Sequence, residues 1–152
     1  MYLMSLFPVF VFTIYQRKRI FRIFYNKGFN MFIEKRDFTR VPFKVKVEMT
    51  ANKVLYSIEE IIDLSIGGCL LPINTDLQLG TQCNITILLT GTSPEVTVKV
   101  AGEVVRCGNG KMAIKFTRID PDSLFHLHNI VRYNSRNPET VEWEILNHPG
   151  TL

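Results

Sequence analysis

The sequence predicts a mainly β protein, a small six-stranded antiparallel split barrel with a C-terminal α-helix or pair of helices. Three observations predict this class. Short apolar segments of strand length recur between residues 43 and 116, turn residues separate them, and the pattern changes to helical spacing after Asp120. Closely spaced short strands are typical of a small barrel, and helices that follow them in sequence form an appendage.

Six short apolar segments carry the strand prediction. They cover residues 43–49, 54–64, 68–71, 83–89, 96–107 and 111–116. The first alternates apolar and polar side chains, which is typical of a strand buried on one face. We expect a break in the second at Glu59-Glu60, a β-bulge at Gly102 in the fifth, and a tight hairpin at Gly108-Asn109-Gly110.

Two helix-start signals follow the last strand. Asp120-Pro121 offers an N-cap and a proline at the first helical position, and Asn137-Pro138 repeats the signal. Four apolar residues share one face of the first helix: Leu124, Leu127, Ile130 and Val131. A second, shorter helix is expected within residues 140–146.

Charge divides the chain. Residues 1–31 contain five basic residues and no acid, a charge of +5, whereas the remainder has 13 basic and 14 acidic residues, a charge of −1. We expect three parts: a hydrophobic and basic leader at residues 1–31, the barrel domain at residues 32–118, and the helical appendage at residues 119–152. The nearly neutral body argues against a general binder of DNA or RNA, which needs a basic face.

The leader has three interpretations. Its apolar run, residues 1–15, is shorter than the roughly 20 residues that span a bilayer. Its charges follow that run, whereas those of a secretory signal precede it. The leader is a short membrane anchor with a cytoplasmic basic flank, an interfacial amphipathic segment, or translated upstream sequence with the true start at Met31. Membrane contact, at the inner face, is expected only through residues 1–30.

No sequence pattern supports catalysis or metal binding. The three cysteines, Cys69, Cys83 and Cys107, form no C-x-x-C pair, and we expect small buried thiols on strands in a reducing cytoplasm. His126 and His128 lie two residues apart on a predicted helix and so point in different directions. No P-loop, G-x-S-x-G or H-E-x-x-H motif occurs. We therefore expect no enzyme, no metal and no cofactor.

Two polar clusters remain as candidates for a site. Asp63-Leu64-Ser65-Ile66-Gly67-Gly68 places an acid, a hydroxyl and two glycines on a tight connection between predicted strands. The acid can accept from a planar donor edge and the hydroxyl can donate to an anion, while the glycines allow positive φ and leave room for a bound group. Arg36-Asp37-Phe38-Thr39-Arg40 precedes Pro42, so its arginines lie on a loop. Simpler explanations are solvated loop arginines and a turn stabilised by its own acid and hydroxyl.

Together the clusters resemble the PilZ family of bacterial cyclic di-GMP receptors. The resemblance covers residues 34–118 and rests on Glu34-Lys35-Arg36-Asp37-Phe38-Thr39-Arg40-Val41-Pro42 and the Asp63–Gly68 cluster, in that order and at that separation. The implied ligand-binding residues are Arg36, Arg40, Asp63, Ser65 and Gly68, with Lys35 and Gly67 as secondary members. Arginine forks would meet guanine acceptors, phosphates or both, the carboxylate would accept from the guanine donor edge, and the hydroxyl would donate to a phosphate.

The resemblance implies a cytoplasmic receptor or adaptor in bacterial second-messenger signalling. We expect one or two molecules of cyclic di-GMP to fold residues 31–41 over the barrel and change the surface offered to a downstream protein partner. One alternative is a PilZ-like interaction module that binds no nucleotide. Another is a barrel that binds single-stranded nucleic acid, which needs exposed stacking aromatics, whereas Phe43 and Phe116 occupy alternating positions typical of a core.

Overall fold

A computed structural model gives the fold of the chain. It describes residues 37–89 and 96–148, and the backbone of residues 11–16, 19–24 and 32–34. The chain divides into two compact units, Met1–Asp37 and Phe38–Leu152.

The first unit contains a small antiparallel sheet. Its strands are β1 (Val11–Gln16), β2 (Arg19–Phe24) and β3 (Phe32–Glu34), in the order β1-β2-β3. The described part of the leader is therefore strand. Among the residues that the structure describes, no helix is long and apolar enough to cross a membrane.

The second unit is built on one antiparallel sheet of eight strands. These are β4 (Val41–Phe43), β5 (Val47–Ala51), β6 (Val54–Ile58), β7 (Ile61–Ser65), β8 (Gly68–Leu71), β9 (Gln82–Leu89), β10 (Val96–Gly108) and β11 (Lys111–Ile119). The spatial order is β4-β7-β8-β11-β10-β9-β5-β6. The sheet curls into a half-barrel, which confirms the predicted class.

The predicted count of six strands is wrong, because two predicted segments each contain two strands. The first breaks between Phe43 and Val47, where the Val45 N–H turns back to donate to the Phe43 carbonyl at 3.1 Å. The second breaks at Glu59-Glu60, where a break was expected.

Both breaks connect strands from opposite ends of the sheet order. β6 is the last strand and β7 the second, yet only Glu59 and Glu60 separate them. Three peptide units reach about 10 Å at most, whereas adjacent strands lie about 4.8 Å apart. A flat eight-stranded sheet cannot satisfy this connection, so the sheet must curl until its two ends approach each other.

The buried core is formed by side chains of the sheet together with side chains of both helices. Its largest fully buried side chains are Phe116, Met49, Ile61, Leu64, Leu71, Ile85, Ile87, Met112, Leu127, Val41, Val47 and Val98. Phe43 is half-buried against this core, so neither it nor Phe116 forms an exposed stacking platform. The predicted bulge at Gly102 is confirmed by a register shift between β10 and β11.

The two helices begin at the predicted signals. Asp120 caps α1 (Pro121–Asn134) by accepting from the Ser123 N–H at 2.8 Å, and Asn137 caps α2 (Pro138–Asn147). The helix α1 buries Leu127, Ile130 and Val131, as its periodicity predicts, whereas Leu124 is half-buried.

The cysteines are free thiols in different environments. Cys69 and Cys83 are buried as expected, but Cys107 is exposed, because it lies where the β10–β11 hairpin extends beyond the core. Burial raises the pKa of the Cys83 thiol to about 11. Burial, reinforced by the neighbouring Cys83, raises the pKa of Cys69 further.

Candidate functional site

Strand pairing brings the two polar clusters together. β4 runs antiparallel to β7, with Val41 opposite Leu64, and both side chains are buried. Because side chains alternate between the faces of a strand, Asp63 lies on the face of β7 opposite to that of Leu64, while Arg40 directly precedes β4. Arg40 is exposed and Asp63 is half-buried. A guanidinium group and a carboxylate thus flank one strand pair at the edge of the sheet.

The connection between β7 and β8 is a two-residue hairpin. Ser65 pairs with Gly68, which leaves Ile66 and Gly67 at the tip. The Ser65 hydroxyl donates to the Gly68 carbonyl at 3.1 Å, and the residue is only 8% exposed. A serine has one proton to donate, and here it is used inside the hairpin. Donation to a phosphate would require the hydroxyl to rotate away from Gly68.

Close approach, and not backbone conformation, explains the two glycines. Neither Gly67 nor Gly68 has positive φ, so that expectation is wrong. A Cβ on Gly68 would lie 2.3 Å from the Ile114 carbonyl oxygen, and one on Gly67 would lie 2.9 Å from the Phe38 ring. The space that the missing side chains leave is filled by β11 and by Phe38, and is not left open for a ligand.

The helix α2 holds the residues that precede β4. Glu144 is 5% exposed, and its carboxylate accepts from the Thr39 N–H at 2.7 Å and from the Thr39 hydroxyl at 2.9 Å. The Phe38 ring packs edge-on against His148, with ring centroids 5.2 Å apart. Residues 38–41 are therefore anchored to α2 and to β7.

Two predicted site residues, Lys35 and Arg36, lie outside the described residues. The described part of the site consists of Arg40, Asp63 and the Ser65–Gly68 hairpin. Lys115, which is exposed, pairs with Gly68 across the β8–β11 ladder and adds a second cation beside the hairpin. Over residues 37–89 and 96–148, no group of three histidine, cysteine or acidic side chains is arranged to hold a metal ion.

Sequence reasoning missed the contact between Thr39, which lies in the first cluster, and Glu144. They are 105 residues apart, and no local pattern connects them. One signal was available: Glu144 follows Val141 by three residues, so an acid occupies the apolar face of a short amphipathic helix. An acid at such a position predicts a buried polar contact, although not its partner.

Comparisons with known proteins agree on one family. The family model described as PilZ domain matches residues 34–133. The crystal structure of the PilZ domain of CeSA from a cellulose-synthesizing bacterium is similar, with a TM-score of 0.50 and 22% identity over 61% of this chain and 94% of that one. The Bacillus subtilis inhibitor of motility, MotI/DgrA, matches with a TM-score of 0.59 and 15% identity over 82% of this chain and 65% of that one. No curated protein sequence matches this chain.

Proposed function

The chain belongs to the PilZ domain family, a family of cyclic di-GMP receptors, and from that premise we propose that it binds cyclic di-GMP beside the β7–β8 hairpin. The observation that carries the proposal is the pairing of β4 with β7. It supports the proposal because Val41 and Leu64, the neighbours of Arg40 and Asp63, lie opposite each other in the ladder.

The chemistry of the two side chains suits a guanine nucleotide. The adjacent O6 and N7 acceptors of guanine match an arginine fork, and so do phosphate oxygens. The adjacent N1 and N2 donors of guanine match a carboxylate, which can only accept. In the proposed complex Arg40 grips guanine or phosphate and Asp63 accepts from a guanine. Arg36 completes the basic half, with Lys35 as a secondary member of the site.

The proposed output is a conformational change of the N-terminal loop, residues 31–41, that alters the surface offered to a protein partner. Because residues 38–41 are already anchored, the change is proposed to be centred upstream of Phe38. Amide exchange of residues 31–41 with and without nucleotide measures this change. Equal protection in the two states would contradict the loop mechanism and leave the binding proposal standing.

Calorimetric titration of the full chain with cyclic di-GMP tests the binding proposal. Arg40→Ala and Asp63→Ala should each weaken binding by about thirtyfold, since loss of a charge-assisted hydrogen bond costs about 2 kcal/mol. Arg40→Lys should also weaken binding, because lysine keeps the charge and loses the fork. Arg106→Ala and Asp76→Ala, which remove exposed charges from other parts of the second unit, are the matched controls.

The titration separates this function from the alternative of an interaction module without nucleotide. Absence of binding by a folded wild-type chain would favour the interaction module. Equal losses in the site variants and their controls would indicate a general charge effect and would refute the assigned site.

A further inference from the structure

The carboxylate of Glu144 is buried against the loop that precedes β4, where it contacts Thr39. Both carboxylate oxygens accept from one residue, Thr39, at 2.7 and 2.9 Å. A buried carboxylate is costly unless hydrogen bonds compensate it. The two hydrogen bonds from Thr39 therefore stabilise both the buried position of Glu144 on α2 and the position of the loop. Neither residue belongs to the site predicted from sequence.

The contact lies one residue before Arg40. The Glu144 carboxylate fixes the N–H of Thr39, and the pairing of Val41 with Leu64 fixes the residue that follows Arg40. The backbone of Arg40 is thus held on both sides, while its side chain is exposed. Holding a binding residue in place before the ligand arrives reduces the entropy lost on binding.

A second contact reinforces the first. The Phe38 ring packs edge-on against His148, the C-cap residue of α2, with centroids 5.2 Å apart, and it also occupies the space beside Gly67 of the hairpin. The segment of Phe38 and Thr39 therefore joins α2 to the hairpin. Because this segment directly precedes Arg40, a movement of α2 would also move the backbone before Arg40.

We propose that Glu144 is a positioning residue of the nucleotide site: through Thr39 it holds Arg40 beside the Asp63–Gly68 hairpin. The inference rests on the proposed binding of cyclic di-GMP. If the Glu144–Thr39 contact strengthens nucleotide binding, then bound nucleotide must strengthen that contact by the same free energy. Bound nucleotide should therefore stabilise α2.

Thr39→Val is the primary test, because valine has nearly the same shape and removes only the hydroxyl donor. Thr39→Ser keeps both donors and serves as the conservative rescue. Glu142→Ala removes an exposed acid from the same helix, one that pairs with Arg132 at 2.7 Å and not with the loop. Amide exchange of the free protein and calorimetric titration with cyclic di-GMP are measured for each variant.

In the absence of nucleotide, Thr39→Val should speed amide exchange at residue 39, whose N–H donates to the same carboxylate, by about tenfold, the effect of losing one such hydrogen bond. With nucleotide, it should weaken binding by about three- to tenfold, the effect of one more group to immobilise. Thr39→Ser and Glu142→Ala should match the wild type in both. Added nucleotide should slow exchange in residues 138–148 of the wild type, and less so in Thr39→Val.

The outcomes separate this inference from the proposed function. Unchanged exchange at residue 39 in Thr39→Val would overturn the positioning role, whether or not nucleotide binds. Faster exchange combined with an affinity for nucleotide that equals or exceeds that of the wild type would also overturn it. The contact would then have no effect on binding or would oppose it. A wild-type chain that does not bind cyclic di-GMP refutes the proposed function, while exchange in the free protein still decides whether Glu144 holds the loop.

Discussion

Gly68→Ala is expected to destabilise the second unit because no space exists for a methyl group at this position. An added Cβ would lie 2.3 Å from the Ile114 carbonyl oxygen, where ordinary contact begins at 3.4 Å. The obstacle is strand backbone, which cannot rotate away as a side chain can. β8 and β11 would have to separate by about 1 Å, a shift that breaks ladder hydrogen bonds near Gly68 and Lys115.

The cost can be worked from that separation. Two weakened backbone hydrogen bonds contribute about 1 kcal/mol each, and overpacking adds about 1–3 kcal/mol. The free energy of unfolding should therefore fall by about 3–5 kcal/mol, which lowers the melting temperature of a chain of this size by roughly 6–20 °C. Thermal melts followed by circular dichroism measure this difference.

Gly67→Ala is the matched comparison, since its Cβ would meet the Phe38 ring at 2.9 Å and not backbone. A ring can move, so we expect a cost of about 1 kcal/mol and faster amide exchange at Phe38 and Thr39. A melting temperature for Gly68→Ala within a degree or so of the wild type, or a larger loss for Gly67→Ala, would refute the close-approach argument.

Three further predictions concern titration and thiol reactivity. Asp120→Ala should lower the melting temperature. The hydrogen bond of the cap lowers the pKa of Asp120, so the higher melting temperature of the wild type should be fully present above about pH 4 and be lost as the pH falls through that lowered pKa. Burial lowers the pKa of His128, so stability should fall as the pH drops below about 6.5, and His128→Gln should melt with a shallower dependence on pH. A thiol titration of the native protein should modify Cys107 quickly and Cys69 and Cys83 only on unfolding, since burial raises the pKa of both; a second fast thiol would contradict the burial.

Local chemistry made much of the fold predictable. The N-cap at Asp120, the bulge at Gly102 and the break at Glu59-Glu60 each depend on a few neighbouring residues, and each is confirmed. The split between β4 and β5 was missed because residues 43–49 keep one alternating pattern through the break. An alternating pattern indicates which face of a strand is buried, but it does not indicate where one strand ends and the chain pairs with a different strand.

The site was predictable in composition but less so in geometry. The resemblance to the PilZ family implied that Arg40 and Asp63 share a site, and the pairing of Val41 with Leu64 brings their backbones together. The reason for the glycines was not predictable, because the atoms that fill their space come from β11 and from Phe38. Such contacts depend on how distant strands are placed, which no local pattern encodes.

The negative charge of Glu144 prevents this residue from binding an anionic ligand directly. An ionised carboxylate only accepts hydrogen bonds, so Glu144 cannot grip a phosphate, and its charge opposes one. Glu144→Gln would remove this opposition and also exchange an acceptor for a donor facing Thr39, so two opposite effects on affinity would mix. Thr39→Val leaves the charge and the Thr39 N–H bond in place and removes only the hydroxyl bond, so its effect on affinity reports how much that bond helps to hold Arg40 in position for the ligand.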